Sequence, residues 1–106
     1  MNPGTTLIAY LKGKPEKRDE LLATLRAFVK PTRAEEGCVE YHLHVSDDDP
    51  NLFIFYENWR SRPDLDTHLN TPLLTAFFNR RMDLLERDVD IRFMTMDSPY
   101  PASDRR

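Results

Sequence analysis

The chain has 106 residues and a mass of 12.5 kDa, which is enough for one domain and too little for two halves with a core each. Its net charge of −3, with Lys and Arg scattered among Asp and Glu, offers no basic stripe for phosphates and argues against nucleic acid or an anionic membrane as partner. A single cysteine, Cys38, makes no internal disulfide and no C-x-x-C, and the chain has neither a long apolar run nor a basic-then-apolar start, so a cytoplasmic protein in a reducing compartment is expected.

Residues 6–12, TLIAYLK, are β-branched, aromatic and aliphatic and are followed by Gly13, which predicts a first strand closed by a turn. Pro15 and Glu16 suit the first turn of a helix. Leu21, Leu22, Leu25, Phe28 and Val29 then recur at helical spacing, opposite Lys17, Arg18, Glu20, Thr24 and Arg26. Pro31 is expected to kink this helix or end its regular part, and Gly37 to close it. Alternation over 39–45 predicts a second strand with Val39, Tyr41, Leu43 and Val45 on one face and Glu40, His42 and His44 on the other. DDDPN, residues 47–51, is turn chemistry leading into a third strand over 52–59. Ser61 before Pro63 and Asp64, and Thr71 before Pro72, each predict a helix cap, giving helices over about 63–69 and 72–86. Leu65, His68 and Leu69 share a face of the first, and Leu74, Phe77, Phe78 and Leu85 of the second. Residues 89–96 alternate again as a fourth strand. Residues 1–5 are expected to be a disordered N-terminus, 6–96 the domain, and the proline-rich 97–106 an extended C-terminal arm.

Strand, helix, two strands, broken helix, strand is the split βαβ order of an α+β, ferredoxin-like domain, whose helices cover one face of a four-stranded antiparallel sheet. The third strand is large and apolar on both faces: Phe53 and Phe55 run with Glu57 and Trp59, while Leu52, Ile54 and Tyr56 run with Asn58. Helices shelter only one of these faces, so the other is expected to be buried against a second copy of the chain, the alternative being that the C-terminal arm folds back over it.

With three glycines in the whole chain, no dinucleotide fingerprint, phosphate loop or nucleophile elbow is present. No cofactor is expected. His68 faces the sheet with Leu65 and Leu69, and its ordinary pKa suits a base at neutral pH, although a histidine satisfied by one core carbonyl would look the same. His42 and His44 share a strand face, but two imidazoles are too few for a metal site, so no metal is expected. Cys38 lacks a neighbouring cation or helix N-terminus to activate it as a nucleophile. Glu57 and Trp59 are either a structural polar pair or the wall of a pocket.

The stretch EEGCVEYHLHVSDDDPNLFIFYENWRSRPDLDTHLNTP resembles the antibiotic biosynthesis monooxygenase (ABM) domain family, among its quinol-monooxygenase-like members. The match is carried by Glu36, Gly37, Cys38, Tyr41, Tyr56, Glu57, Trp59, Ser61, Leu65, His68, Leu69, Thr71 and Pro72, within a resemblance spanning roughly residues 6–96. It implies a homodimer with facing sheets, a dimeric α+β barrel, and a ligand pocket between helices and sheet in each subunit. It also implies cofactor-free oxidation, by molecular oxygen, of a small aromatic substrate: a quinol or a polyketide-like phenol. Many relatives carry a second histidine directly after Thr-Pro, where this chain has Leu73; the haem-degrading branch uses a histidine about where Phe78 stands, which argues against haem. In this reading His68 is the catalytic base and Trp59, Asn58 and Tyr56 supply hydrogen bonds, with Phe55, Glu57, Phe77 and Leu73 against the substrate. Two alternatives stay open: an isomerase of a small carbonyl metabolite, and a non-catalytic ligand-binding or stress protein on the same fold.

Overall fold

The computed structural model describes residues 2–101. In chain order the elements are β1 (Thr5–Lys12), a 3-10 turn (Pro15–Lys17), α1 (Arg18–Arg33), β2 (Cys38–Val45), β3 (Leu52–Trp59), α2 (Arg62–Leu69), α3 (Pro72–Leu84) and β4 (Asp90–Met94). The strands form one antiparallel sheet in the order β2-β3-β1-β4, the ferredoxin-like arrangement expected from the element order.

Strand alternation builds the core. Leu7, Ala9 and Leu11 of β1 and Phe53, Phe55, Glu57 and Trp59 of β3 are all buried on the helix side. Leu21, Leu22, Leu25 and Phe28 of α1 close over them, and Phe28 meets Phe77 of α3 edge to face at 5.4 Å between ring centroids. Pro31 neither breaks nor ends α1 on the spot. It lies near the C-terminus, so the lost hydrogen bond affects only the closing turn, which Ala34 N–H caps by donating to the carbonyls of Pro31 and Thr32.

The second strand departs from simple alternation. The register slips between Cys38 and Glu40, leaving Val39 43% exposed, whereas Cys38 takes the place opposite Trp59 and Tyr41 is fully buried. A single extra residue reverses the side to which everything before it points, so Val39 does not share the core face with Tyr41 and Leu43. Val45, at the far end, is also exposed.

Ser61 and Thr71 cap α2 and α3, accepting from the backbone N–H of Asp64 and of Leu74, and Pro63 and Pro72 occupy the first turns. Helix α3 stops at Leu84, one residue before the buried Leu85, which bridges to Gly13.

On the helix-free face, Ile8, Tyr10, Leu52, Ile54 and Tyr56 are half-buried, and Thr6 and Asn58 are buried. Thr6 Oγ1 donates to Asn58 Oδ1, and Asn58 Nδ2 donates to Glu40 Oε1 (2.8 Å) and Tyr56 Oη (3.0 Å). Residues 97–101 carry no helix or strand and lie by this end of the sheet. Asn2 ties them down: its Nδ2 donates to the carbonyls of Met96 and Ser98, and its Oδ1 accepts from Tyr100 N–H. Residues 2–4, expected to be disordered, are thus held beside the arm, and Gly4 N–H donates to Trp59 O. Met1 and the remainder of the expected arm, 102–106, lie outside the described residues. Among the described residues no helix is long and apolar enough to cross a membrane.

Candidate functional site

Between the helices and the sheet lies a cavity of about 30 Å³. Leu7, Ala9, Leu11 and Phe55 make its floor, Leu25, Phe28, Leu74 and Phe77 its roof, and the half-buried Leu69, Phe78, Val89 and Ile91 its outer edge. That space admits one or two water-sized molecules and is too small for an aromatic ring unless side chains move. The wall carries polar atoms on three side chains, Tyr41, Glu57 and His68.

His68 is placed by α2, whose capped start and buried Leu65 fix the helix against the sheet. The imidazole is 1% exposed, packed on the Trp59 ring at 4.7 Å and edge-on to Tyr41 at 5.6 Å between centroids. Its Nδ1 lies 2.8 Å from Glu35 Oε2. A carboxylate can only accept, so this contact puts the proton on Nδ1 and leaves Nε2 with the free lone pair of a base. Burial lowers the His68 pKa below its usual value, and Glu35 opposes that by hydrogen bond and charge.

Glu57 projects from β3 and is 4% exposed. Burial pushes its carboxyl up to about 7; the Trp59 Nε1–H, which donates to Oε1 at 2.9 Å, pulls it down, and the charge of Glu35 adds to the rise. Tyr41 is pushed up, first by burial and then by Glu57, against a hydrogen bond with Thr32. Cys38, raised to about 11 by burial and then by Glu57, is a poor thiolate, consistent with no nucleophilic role.

The structure therefore gathers His68, Phe55, Glu57 and Phe77 on one cavity, with Trp59 behind His68 and Glu57. Two of the expected hydrogen-bond donors belong elsewhere. Tyr56 and Asn58 alternate with Phe55, Glu57 and Trp59, so they point to the opposite face of the sheet, into the network with Glu40 and Thr6. Leu73 is 39% exposed and lines a separate surface groove with Glu35 and Thr71, so it is not a wall of this cavity. His42 likewise sits on the helix-free face, stacked on Tyr56 and beside Glu40 and Arg33. Among the described residues no group of three or more His, Cys, Asp or Glu side chains is arranged to hold a metal ion.

Glu35 is the residue that sequence reasoning passed over. It precedes Glu36, and its only sequence signal is a carboxylate in the turn leading to the second strand. Its partner is 33 positions away.

An antiparallel four-stranded sheet roofed by helices, enclosing an apolar cavity with a histidine and a carboxyl on its wall, defines a ferredoxin-like α+β domain with an internal cavity. The family model for antibiotic biosynthesis monooxygenase matches residues 5–80, and the chain belongs to that family. Among relatives, "Putative monooxygenase Rv0793" of Mycobacterium tuberculosis is 37% identical over 91 residues, 86% of this chain and 89% of that protein. Its solved structure superposes with a TM-score of 0.81, covering 93% of this chain and 97% of the other. The crystal structure of PA3566 from Pseudomonas aeruginosa gives a TM-score of 0.85 at 36% identity, covering 92% of this chain and 97% of that one. The uncharacterized protein sll1783 of Synechocystis is 37% identical over 82 residues, 77% of this chain, and this chain spans only 56% of its length.

Proposed function

We propose that this protein is a cofactor-independent monooxygenase acting on a small quinol or polyketide-like phenol, with His68 as general base and Glu35 as the residue that positions it. The observation that supports this reading is the buried imidazole on the wall of an apolar cavity, with Nδ1 committed to Glu35 and Nε2 left as the acceptor. His68 takes the phenolic proton, breaking the O–H bond. The resulting anion is electron-rich enough to reduce dioxygen: a carbon–oxygen bond forms, and the peroxide takes the proton back from the His68 imidazolium to give a hydroperoxide and restore the base. Loss of water from it leaves a quinone, so one oxygen atom ends in the product and the other in water. Exclusion of bulk water by the leucine and phenylalanine walls protects the anion from reprotonation. Tyr56 and Asn58 drop out of this scheme because they lie across the sheet. We also propose that two subunits pair through their helix-free sheet faces, and that the protein works in the cytoplasm.

An oxygen electrode and a panel of hydroxylated aromatics test the chemistry. Oxygen uptake should persist with a chelator present and fall about 10²–10⁴-fold in His68→Ala. Undiminished uptake in that variant removes His68 from the mechanism, and product formation at an equal rate under nitrogen removes the oxygenase step.

A further inference from the structure

A developing negative charge on a ligand oxygen needs a proton-bearing partner, and the cavity offers few. Tyr41 is engaged with Thr32, and Tyr56 and Asn58 lie on the far face of the sheet. The indole N–H of Trp59 is spent on Glu57 Oε1, which leaves Oε2 to carry the proton when Glu57 is neutral. Glu57 on the sheet and His68 on α2 thus stand on one cavity wall, both in contact with Trp59.

We infer that Glu57, as the neutral acid, is a second catalytic residue: it gives its proton to a ligand carbonyl oxygen while His68 removes a proton from the adjacent carbon, so the site takes enolisable ketones. This goes beyond the preceding proposal to a second substrate class and rests on its assignment of His68 as base. The C–H bond breaks and its electron pair forms the carbon–carbon double bond. The carbonyl π pair moves onto oxygen, which takes the Glu57 proton. Glu57 is left as carboxylate and His68 as imidazolium, and the reverse transfer or solvent resets them. No electrons leave the ligand, and the enol formed is the kind of electron-rich species that the oxygenase step consumes.

The titratable groups around Glu57 are Glu35 from the turn after α1, Cys38 and Tyr41 from β2, and His68 from α2. Around the cavity β1, α1, α3 and β4 present apolar side chains. The burial that raises Glu57 and lowers His68 places acid and base in their working forms together near neutrality.

The test is α-hydrogen exchange of cyclic ketones, from cyclopentanone to 2-tetralone, followed by NMR in D2O under nitrogen, with oxygen uptake on hydroxylated aromatics measured separately. The wild-type protein should accelerate exchange over buffer for at least one ketone, with a rate that declines as pH rises above about 7. Glu57→Gln keeps an oxygen for the Trp59 N–H but has no acid proton; its exchange should fall about 10²-fold and lose the alkaline decline. Glu57→Asp, which keeps the proton at shorter reach, should exchange faster than Glu57→Gln, a rescue that a purely structural role would not give. No acceleration by the wild type on any ketone, or equal rates in wild type and Glu57→Gln, overturns the inference. Retained exchange without oxygen uptake supports it and overturns only the monooxygenase reading.

Discussion

Glu57 and His68 are buried ionisable groups whose native environments push them in opposite directions, so each leaves a mark on stability. Glu57 is raised from 4.5 to about 7, which means the folded state binds its proton more tightly than the unfolded chain. The stability it contributes is complete below pH 4.5 and disappears as pH rises through about 7, a span worth roughly 3 kcal/mol. His68 is lowered from 6.5, so its contribution is present above pH 6.5 and is lost as pH falls through its folded value. Below pH 6.5 the two trends oppose each other, so urea midpoints of the wild type should decline as pH rises from 6.5 through about 7, and Glu57→Gln should flatten that decline; an unchanged slope would show that Glu57 does not titrate there. Glu35→Gln removes the charge that supports protonated His68, so the imidazole becomes a weaker base: kcat should fall about tenfold with KM little changed. The acid limb of the pH profile should also move lower, since Glu35 raises the His68 pKa. His68 was legible in the sequence because helical spacing with Leu65 and Leu69 aims it at the sheet. Glu35 was not, because the pairing depends on how a turn docks against a helix far along the chain. Tyr56 and Asn58 neighbour Glu57 and Trp59 in the chain but fall on the other phase of a period-2 strand, which carries their side chains away from the cavity.

At the scale of elements, the capped helices and β3 follow closely from local chemistry, because Ser61-Arg62-Pro63 and Thr71-Pro72 set their own boundaries. Val39 shows where such reading stops, since a bulge is a property of the paired register and leaves no trace in alternation. The turn carrying Glu35 is joined to α2 through Gly37. Its carbonyl accepts from Arg60 N–H at 2.8 Å, and a Cβ built on it would lie 2.3 Å from both Cβ and Cγ of Asp64. No glycine among the described residues has positive φ, so space and not backbone conformation requires the residue here. Asp64 has little freedom to retreat, because Arg60 Nε and Ser61 Oγ both donate to its Oδ2 at 2.8 Å and its own N–H donates to Ser61 Oγ. Gly37→Ala should force the turn and α2 apart, costing about 1–3 kcal/mol in denaturant unfolding and loosening the Glu35–His68 contact. Wild-type stability in that variant would mean that Asp64 moves aside at no cost.

For the whole molecule, the unresolved demand is the helix-free face of the sheet. The stretch 95–101 and Asn2 sit over its Thr6–Asn58–Glu40 end, where Tyr100 also hydrogen-bonds Glu40. Thr6 and Asn58 are buried at that end, whereas Ile8, Tyr10, Leu52 and Ile54 extend beyond it and are buried only in part. Both occupants weighed from the sequence can therefore share the face, the arm over one end and a second subunit over the rest. At about 25 cal/mol per Å² of apolar surface, completing the burial of four such side chains on each of two subunits amounts to several kcal/mol, enough to matter against the entropy of association. Ile54 is the sharpest probe because it lies between Tyr10 of β1 and His44 of β2, mid-sheet on this face and away from the cavity. Ile54→Asp should convert a dimer to a monomer in light scattering at micromolar concentration, since a closed interface would have to strand an unpaired carboxylate. The monomer should keep its circular dichroism spectrum, because the substituted side chain lies on the helix-free face, outside the core, and reaches water in the isolated subunit. A wild-type protein that scatters as a single chain at the same concentration would instead leave that apolar surface to water, and the pairing of sheets would be wrong.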